Sequence, residues 1–230
     1  MNRLCTICMR KGSKGVKNKH LRLINGKFLM QYTIEQAIKS KLFTNIVVSS
    51  DSKKIIGISK KLGIITTFLR TKKLSNDKAG KLDVIKNALN LSEEYFNKKF
   101  DIIFDLDVTS PLRKVSDIKN AYKLFLSENY KILISGCLAK KSPYFNQVEI
   151  NKKNVRLVKN IKKNIVRRQD SPKVYDMNAS IYIWRRDSLL NSDTLFTNDT
   201  GLYIMPENRS TDIDNEIDLK IVEHLLNKNN

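Results

Sequence analysis

Short apolar runs and longer stretches of helical spacing take turns along most of this chain. "RLCTIC" (3–8) has the pattern of a strand. In "FLMQYTIEQAIKS" (28–40), Leu29, Ile34, Ala37 and Ile38 fall at helical spacing. "NIVVSS" (45–50) reads as a buried strand, "SKKIIGISKKLG" (52–63) as a short helix ending at Gly63, and "IITTFLR" (64–70) as the next strand. The pattern repeats with a helix over 81–99, a strand in "DIIFDLD" (101–107), a helix from 116 with Ser116 as its N-cap, and a strand in "KILISGC" (131–137). This alternation predicts an α/β fold: an open, mostly parallel sheet with helices on both faces. Ligands of such sheets bind beyond the carboxyl ends of the strands. Four segments follow strand ends and should converge there: the loop from residue 8 to 20, "SSDS" (49–52), "LRTKKL" (69–74) and "DLDVTSPLR" (105–113).

From 139 to 177 the regular pattern stops. "YFNQVEINKKNVRLVKN" suggests a hairpin turning at "NKKN", and nine basic residues but one acid, Asp170, lie from Lys152 to Lys173. The segment reads as an excursion from a single domain spanning 1–230, directed at a subunit partner. Strands "ASIYIW" and "GLYIM" and the helix "EIDLKIVEHLLNK" complete the chain.

Composition narrows the picture. With 41% hydrophobic and 29% charged residues in 230, the chain can bury a sizeable core. The net charge of +20 asks for an anionic partner, although a lysine-rich codon bias would produce the same excess. Cys5, Cys8 and Cys137 are too few for a disulfide framework and suit a reducing cytoplasm. The Cys5–Cys8 spacing lacks a second pair to complete a zinc site. No apolar run approaches the length of a membrane span, and no secretory leader is recognisable.

Three clusters carry chemistry. "CMRKGSKGVKNKH" (8–20) combines Arg10, Lys14 and Lys19 with Gly12 and Gly15, whose backbone can approach an anion closely; it is neither a Walker A loop nor G-x-G-x-x-G. "STDIDNEIDL" alternates Asp212 and Asp214 around Ile213, a hard-oxygen pair suited to Mg²⁺. Glu216 and Asp218 fit ordinary acid enrichment at a helix start. "DLDVTSPLR" alternates Asp105 and Asp107 at the end of a buried strand, where carboxylates need a metal or a cation, and Arg113 offers a fork for phosphate or carboxylate. Cations that cradle phosphates and carboxylates that hold a metal suggest a nucleoside triphosphate with magnesium. A nucleic-acid-binding protein would explain the basic loop but leaves both acidic pairs without a role. With His20 and His224 as the only histidines, far apart, a zinc protease is excluded.

Arg10, "GSKG" (12–15), Lys19, "TSPLR" (109–113), "NASIYIW" (178–184) and "DIDNEIDL" (212–219), in this order, resemble the CMP-N-acetylneuraminate synthetase family of cytidylyltransferases across essentially the whole chain. "DLDVTSPLR", "SPYFNQVEI" and "RRQDSPKVYDMNASIYIWRRDSL" look most like the branch that activates legionaminic acid. The resemblance implies a Rossmann-like nucleotidyltransferase fold with a dimerising excursion. It also implies Mg²⁺ as cofactor, and a reaction of CTP with a nonulosonic acid giving a CMP-sugar and pyrophosphate; N-acetylneuraminate and pseudaminate are the alternative sugars. It implies a homodimer, with neither nucleic acid nor membrane as partner. By the same resemblance, Arg10, Gly12, Ser13, Lys14 and Lys19 hold the triphosphate. Arg70 lies near the nucleotide, and Arg168 and Asn178 lie near the sugar, across a dimer interface. Asp212 and Asp214 bind metal, and Arg10, Lys19 and Asp212 are expected to matter most for turnover. Two positions depart from the sialate pattern: His20 stands where Asn is common, and Asp107 where Gln is common. Asp107 is expected to add a metal ligand, the alternative being a role in the sugar site.

Overall fold

The computed structural model describes all residues except 13–14, 77, 162–164, 166 and 229–230. Its elements run β1 (Arg3–Met9), β2 (Leu23–Ile24), β3 (Lys27–Phe28), α1 (Leu29–Ser40), β4 (Asn45–Ser50), α2 (Lys53–Lys61), β5 (Thr66–Leu69), α3 (Lys81–Phe96), β6 (Ile102–Leu106), α4 (Val115–Ser127), β7 (Ile132–Leu138), β8 (Val148–Asn151), β9 (Asn154–Leu157), β10 (Tyr175–Arg185), α5 (Arg186–Asn191), β11 (Thr200–Ile204) and α6 (Glu216–Lys228). Seven strands form one sheet in the order β11-β7-β10-β6-β1-β4-β5. β1 pairs parallel with β4 and β6, β4 with β5, and β7 with β11, whereas β10 runs antiparallel to both β6 and β7.

Both faces of the sheet are covered, and the period of two along each strand divides the core accordingly. Cys5, Ile7 and Phe104 face Leu29 and Ile34 of α1, Phe125 of α4 and Val222 of α6; Leu4 and Ile103 face Ile85 and Leu89 of α3 and Leu189 of α5. Trp184 on β10 is fully buried and stacks on Tyr182, centroids 5.6 Å apart.

Several boundaries differ from expectation. α4 starts one residue before Ser116: the backbone N–H of Lys114 donates to the Asp117 carboxylate at 2.8 Å, so Lys114 is the cap and Ser116 lies in the first turn. Ile38 of α1 is exposed. β2 and β3 form a two-residue hairpin whose Asn25 and Gly26 both have positive φ, 49° and 74°, as a type I′ turn requires. α5 was not anticipated. β10 begins at Tyr175, inside the expected excursion, and pairs Tyr175–Met177 with β7 before its register shifts near Ala179, where φ is 51°. Within the excursion the described residues form a hairpin, β8–β9, turning at Lys152–Lys153 with every strand residue exposed.

Candidate active site

Three of the four loops expected to converge do so, around a cavity of about 300 Å³ at the carboxyl edge of the sheet. Arg10, Gly12, Lys19 and His20 form one wall, Arg70, Leu74 and Ala79 a second, and Lys81, Asp105, Asp107 and Thr109 a third. The fourth segment acts from behind: the Asp51 carboxylate accepts the Lys11 backbone N–H at 2.6 Å and pins the opening loop. Ser13 and Lys14 lie outside the described residues.

The opening loop is tied to the second acidic segment. The Lys19 ammonium donates to the Ile213 carbonyl and lies 3.4 Å from Asp214 Oδ1. Gly15 lies so close to the Asp214 carbonyl that a Cβ there would overlap its oxygen. The glycine thus serves close packing of backbone on backbone. Arg70 is buried and donates to the Met9 carbonyl, which fixes the end of β1.

His20 Nδ1 lies 3.0 Å from the Arg10 carbonyl oxygen. A carbonyl only accepts, so Nδ1 carries the proton. Burial pushes the imidazole pKa down to about 4, with Lys19 and Arg70 adding to the effect against the pull of Asp107, and the ring is neutral at pH 7.

The two acidic pairs differ. Asp105 is buried on β6, and Asp107 follows that strand's end. Lys81 lies between them, its Nζ 3.3 Å from Asp105 Oδ2 and 2.8 Å from Asp107 Oδ2, and 4.2 Å from the centroid of the Tyr182 ring. Burial alone would lower the Lys81 pKa, but Asp107 and Asp105 drive it well above the usual lysine range. Burial would raise Asp107, yet Lys81 and the Thr109 backbone N–H hold it well below the usual carboxylate range. Asp105 is raised by burial, against the opposing pull of Lys81.

Among the described residues no ammonium contacts Asp212 in this way, and Lys19 acts on it from farther off. Burial pushes its carboxyl up to about 6, opposed by the Thr109 hydroxyl and Lys19 and reinforced by Asp107 and Asp214, and its Oδ1 is buried without a hydrogen-bond partner among the described residues. Asp214 is 78% exposed at its side chain. Asn215 and Asp218 cap α6 reciprocally: Asn215 Oδ1 accepts from Asp218 N at 3.0 Å, and Asp218 Oδ2 accepts from Asn215 N at 3.0 Å. Glu216 pairs with Arg22.

Other expected residues lie elsewhere. Asn178 is buried in β10; its Oδ1 accepts from the Ser135 hydroxyl at 2.7 Å, and its Nδ2 donates to the Ser210 hydroxyl at 3.0 Å, which anchors the chain just before Asp212. Arg113 is fully buried and donates to the Ser180 and Asp107 carbonyls and the Thr33 hydroxyl. It is a structural tie, not the exposed fork expected for a phosphate. Arg168 donates to the Ala139 carbonyl at 2.8 Å and lines a separate cavity of about 320 Å³ beside Ser142 and Lys173. The expected set Asp107, Asp212 and Asp214 does not close into a metal cage, because Asp107 is held by Lys81 and Asp214 turns to solvent. Among the described residues no three His, Cys, Asp or Glu side chains do so. Lys81 is the principal residue the sequence reading missed. Its one signal is a cation at the first position of a helix, where the macrodipole disfavours positive charge.

Cations facing half-buried carboxylates at this edge of a parallel sheet suit a polyphosphate, and comparison with solved structures gives the class of fold. CMP:2-keto-3-deoxy-manno-octonic acid synthetase, solved with CTP, superposes with a TM-score of 0.71 at 16% identity over 100% of both chains. The chain has the α/β fold of the nucleotidyltransferases. The sequence model described as cytidylyltransferase matches residues 4–228, and the chain belongs to that family. It is similar to the CMP-N,N'-diacetyllegionaminic acid synthase of Campylobacter jejuni, with 48% identity over 227 residues, 99% of this chain and 96% of the relative. It is also 47% identical, with the same coverage, to the post-translational flagellin modification protein B of Campylobacter coli.

Proposed function

We propose that this cytidylyltransferase condenses CTP with a nonulosonic acid of the legionaminic type, giving the CMP-sugar and pyrophosphate. The observation that carries the reading is the cavity at the carboxyl edge of the sheet, with Arg10 and Lys19 on one wall and an acidic cluster on another, in a chain 48% identical to a named legionaminic acid synthase. In the reaction the anomeric hydroxyl oxygen bonds to the α-phosphorus, the anhydride bond to the β-phosphate breaks, pyrophosphate leaves, and the hydroxyl proton is lost to solvent. Arg10 and Lys19 compensate the triphosphate, and the Gly12 backbone admits it closely. Leu74, Ala79 and Val84 give the same cavity an apolar end suited to the base.

A divalent ion fits Asp212. That carboxylate is half-buried and, among the described residues, has an unpartnered oxygen and no ammonium in contact such as Asp107 has. Mg²⁺ takes one or two carboxylates and fills its shell with water and phosphate oxygens, so Asp212 with Asp214 beside it suffices. When bound, the ion would neutralise charge on the triphosphate.

The β8–β9 hairpin supports a homodimer. Val148, Ile150 and Val155 are exposed on it, an apolar face outside the main sheet. In this reading Arg168 serves the sugar site of the second copy. Three unpaired cysteines fit a reducing cytoplasm, and no described helix is long and apolar enough to cross a membrane.

The test is pyrophosphate release from CTP and Mg²⁺ with a panel of nonulosonic acids. Turnover with N,N'-diacetyllegionaminate at least tenfold above N-acetylneuraminate and pseudaminate supports the reading. Equal or greater turnover with either alternative sugar overturns the legionaminic assignment.

A further inference from the structure

The carboxylates of Asp105 and Asp107 lie at a spacing that invites a divalent ion, yet they are bridged by an ammonium from their own chain. Lys81 Nζ lies within 3.3 Å of one and 2.8 Å of the other, so two of its three donors are engaged, and the ring of Tyr182 lies 4.2 Å away. Asp107 is held from its other oxygen as well. Oδ1 accepts the Thr109 backbone N–H at 3.2 Å and the Thr109 hydroxyl at 3.0 Å. Both oxygens of Asp107 are therefore committed, whereas Asp212 Oδ1, the neighbouring buried carboxylate oxygen, has no partner among the described residues. Lys81 also occupies the first position of α3, where the helix dipole disfavours a cation. The two carboxylates offset that cost, and each ion in the group depends on the other two.

We propose that Lys81 is the resident cation of the Asp105–Asp107 pair: it keeps a divalent ion out of that pair and leaves metal binding to the neighbouring Asp212. The inference deepens the metal reading given above. It separates two neighbouring acidic pairs, of which Asp105–Asp107 lines the cavity, and it makes Lys81 a positioning residue of the site. An ammonium and a divalent ion cannot both neutralise these oxygens at contact distance, because like charges that close repel by several kcal/mol at the effective dielectric of a protein surface. Removing the ammonium without shortening the side chain should open the pair to a metal.

The experiment counts Mn²⁺ bound to the nucleotide-free, full-length protein by electron paramagnetic resonance. Lys81→Met should gain one Mn²⁺ site, and adding Asp107→Asn to it should remove that site. Lys81→Arg, which keeps the charge, should gain none. In the wild-type background, Asp107→Asn should leave Mn²⁺ affinity unchanged within twofold, while Asp212→Asn lowers it at least tenfold. The proposal is overturned if Asp107→Asn alone weakens Mn²⁺ tenfold, or if Lys81→Met binds no more Mn²⁺ than wild type. Should Lys81→Met not fold, the Asp107→Asn measurement decides by itself. Failure of Asp212→Asn to affect Mn²⁺ would sink the metal reading at Asp212 and leave the Lys81 result standing, so the two can fail separately.

Discussion

Asp105–Leu106–Asp107 and Asp212–Ile213–Asp214 are the same local device: two carboxylates either side of a fully buried aliphatic residue, at one edge of one sheet. Their electrostatic states are opposite. The first pair is closed by Lys81, and Asp107 is held ionised. The second is more open: among the described residues Asp212 has a buried oxygen with no partner and a pKa raised to about 6, and Asp214 faces water beside Lys19. Spacing along the chain therefore does not establish that two carboxylates project together, as Asp105 and Asp107 do and the half-buried Asp212 and exposed Asp214 do not. Nor does it establish what neutralises them. That depends on which cation the fold brings across: Lys81 contacts both carboxylates of the first pair, whereas Lys19 reaches Asp214 alone in the second.

The strongest break of this comparison is Asp212→Asn. Turnover, read as pyrophosphate release, should fall on the order of 100-fold, the scale at which metal-assisted charge neutralisation operates. At pH 8 the variant should unfold at the same or a higher temperature, because it removes a carboxylate whose folded pKa is raised and whose charged form destabilises the fold above pH 6. A large loss of stability with activity intact would reverse the assignment. Gly15→Ala attacks the link between the basic loop and the open pair. Its methyl would overlap the Asp214 carbonyl, so a cost of about 1–3 kcal/mol is expected in urea unfolding, together with weaker CTP use. Unchanged stability would mean that the close approach does not exist in solution.

A smaller effect sharpens the picture on the cationic wall. Arg10→Ala should raise the KM for CTP by about tenfold or more, the worth of a hydrogen bond to a charged group, and Arg10→Lys should recover only part of it. If both variants keep wild-type CTP kinetics, the loop's charge is not directed at the triphosphate.

Most of the fold was legible because buried strands of a parallel sheet are continuous apolar runs and their helices carry a 3.6-residue stripe. What escaped was short or depended on neighbours. The Asn25–Gly26 turn carried its own signal and was passed over, and Ile38 matched the helical stripe yet faces solvent. Around the cavity, Arg10, Lys19 and the Asp105–Asp107 pair were visible because each lies in a local motif. Lys81 was not, because its partners lie on β6 and only the packing of α3 against the sheet brings them together. Asn178 and Arg113 were legible as residues but not as roles. Both are ties beneath the cavity: Asn178 holds Ser210, and Arg113 holds the Ser180 and Asp107 carbonyls.

The finest test sets His20 against Asp212 through pH. The His20 pKa falls from 6.5 to about 4 on folding, so the unfolded chain binds the extra proton. Its contribution to stability rises with pH between about 4 and 6.5 and is complete above that. Asp212 has the opposite sign. Its folded pKa of about 6 lies above the ordinary 3.8, so the folded chain binds the extra proton and stability falls as pH rises through the same window. The two slopes oppose each other in wild type. His20→Asn should leave the Asp212 slope exposed, so that this variant loses stability relative to wild type as pH rises from 4 to 6.5. Asp212→Asn should do the reverse and gain relative to wild type over the same range. Each difference should be on the order of 2 kcal/mol across the window, since one pKa unit corresponds to about 1.4 kcal/mol and both groups retain some solvent contact. Urea midpoints at pH 4.5 and 7 for the three proteins measure it, and taking differences between variants cancels every group the mutations do not touch. Parallel pH curves for all three would mean that neither group is perturbed, and the contrast between the open and closed carboxylate pairs would then rest on geometry alone.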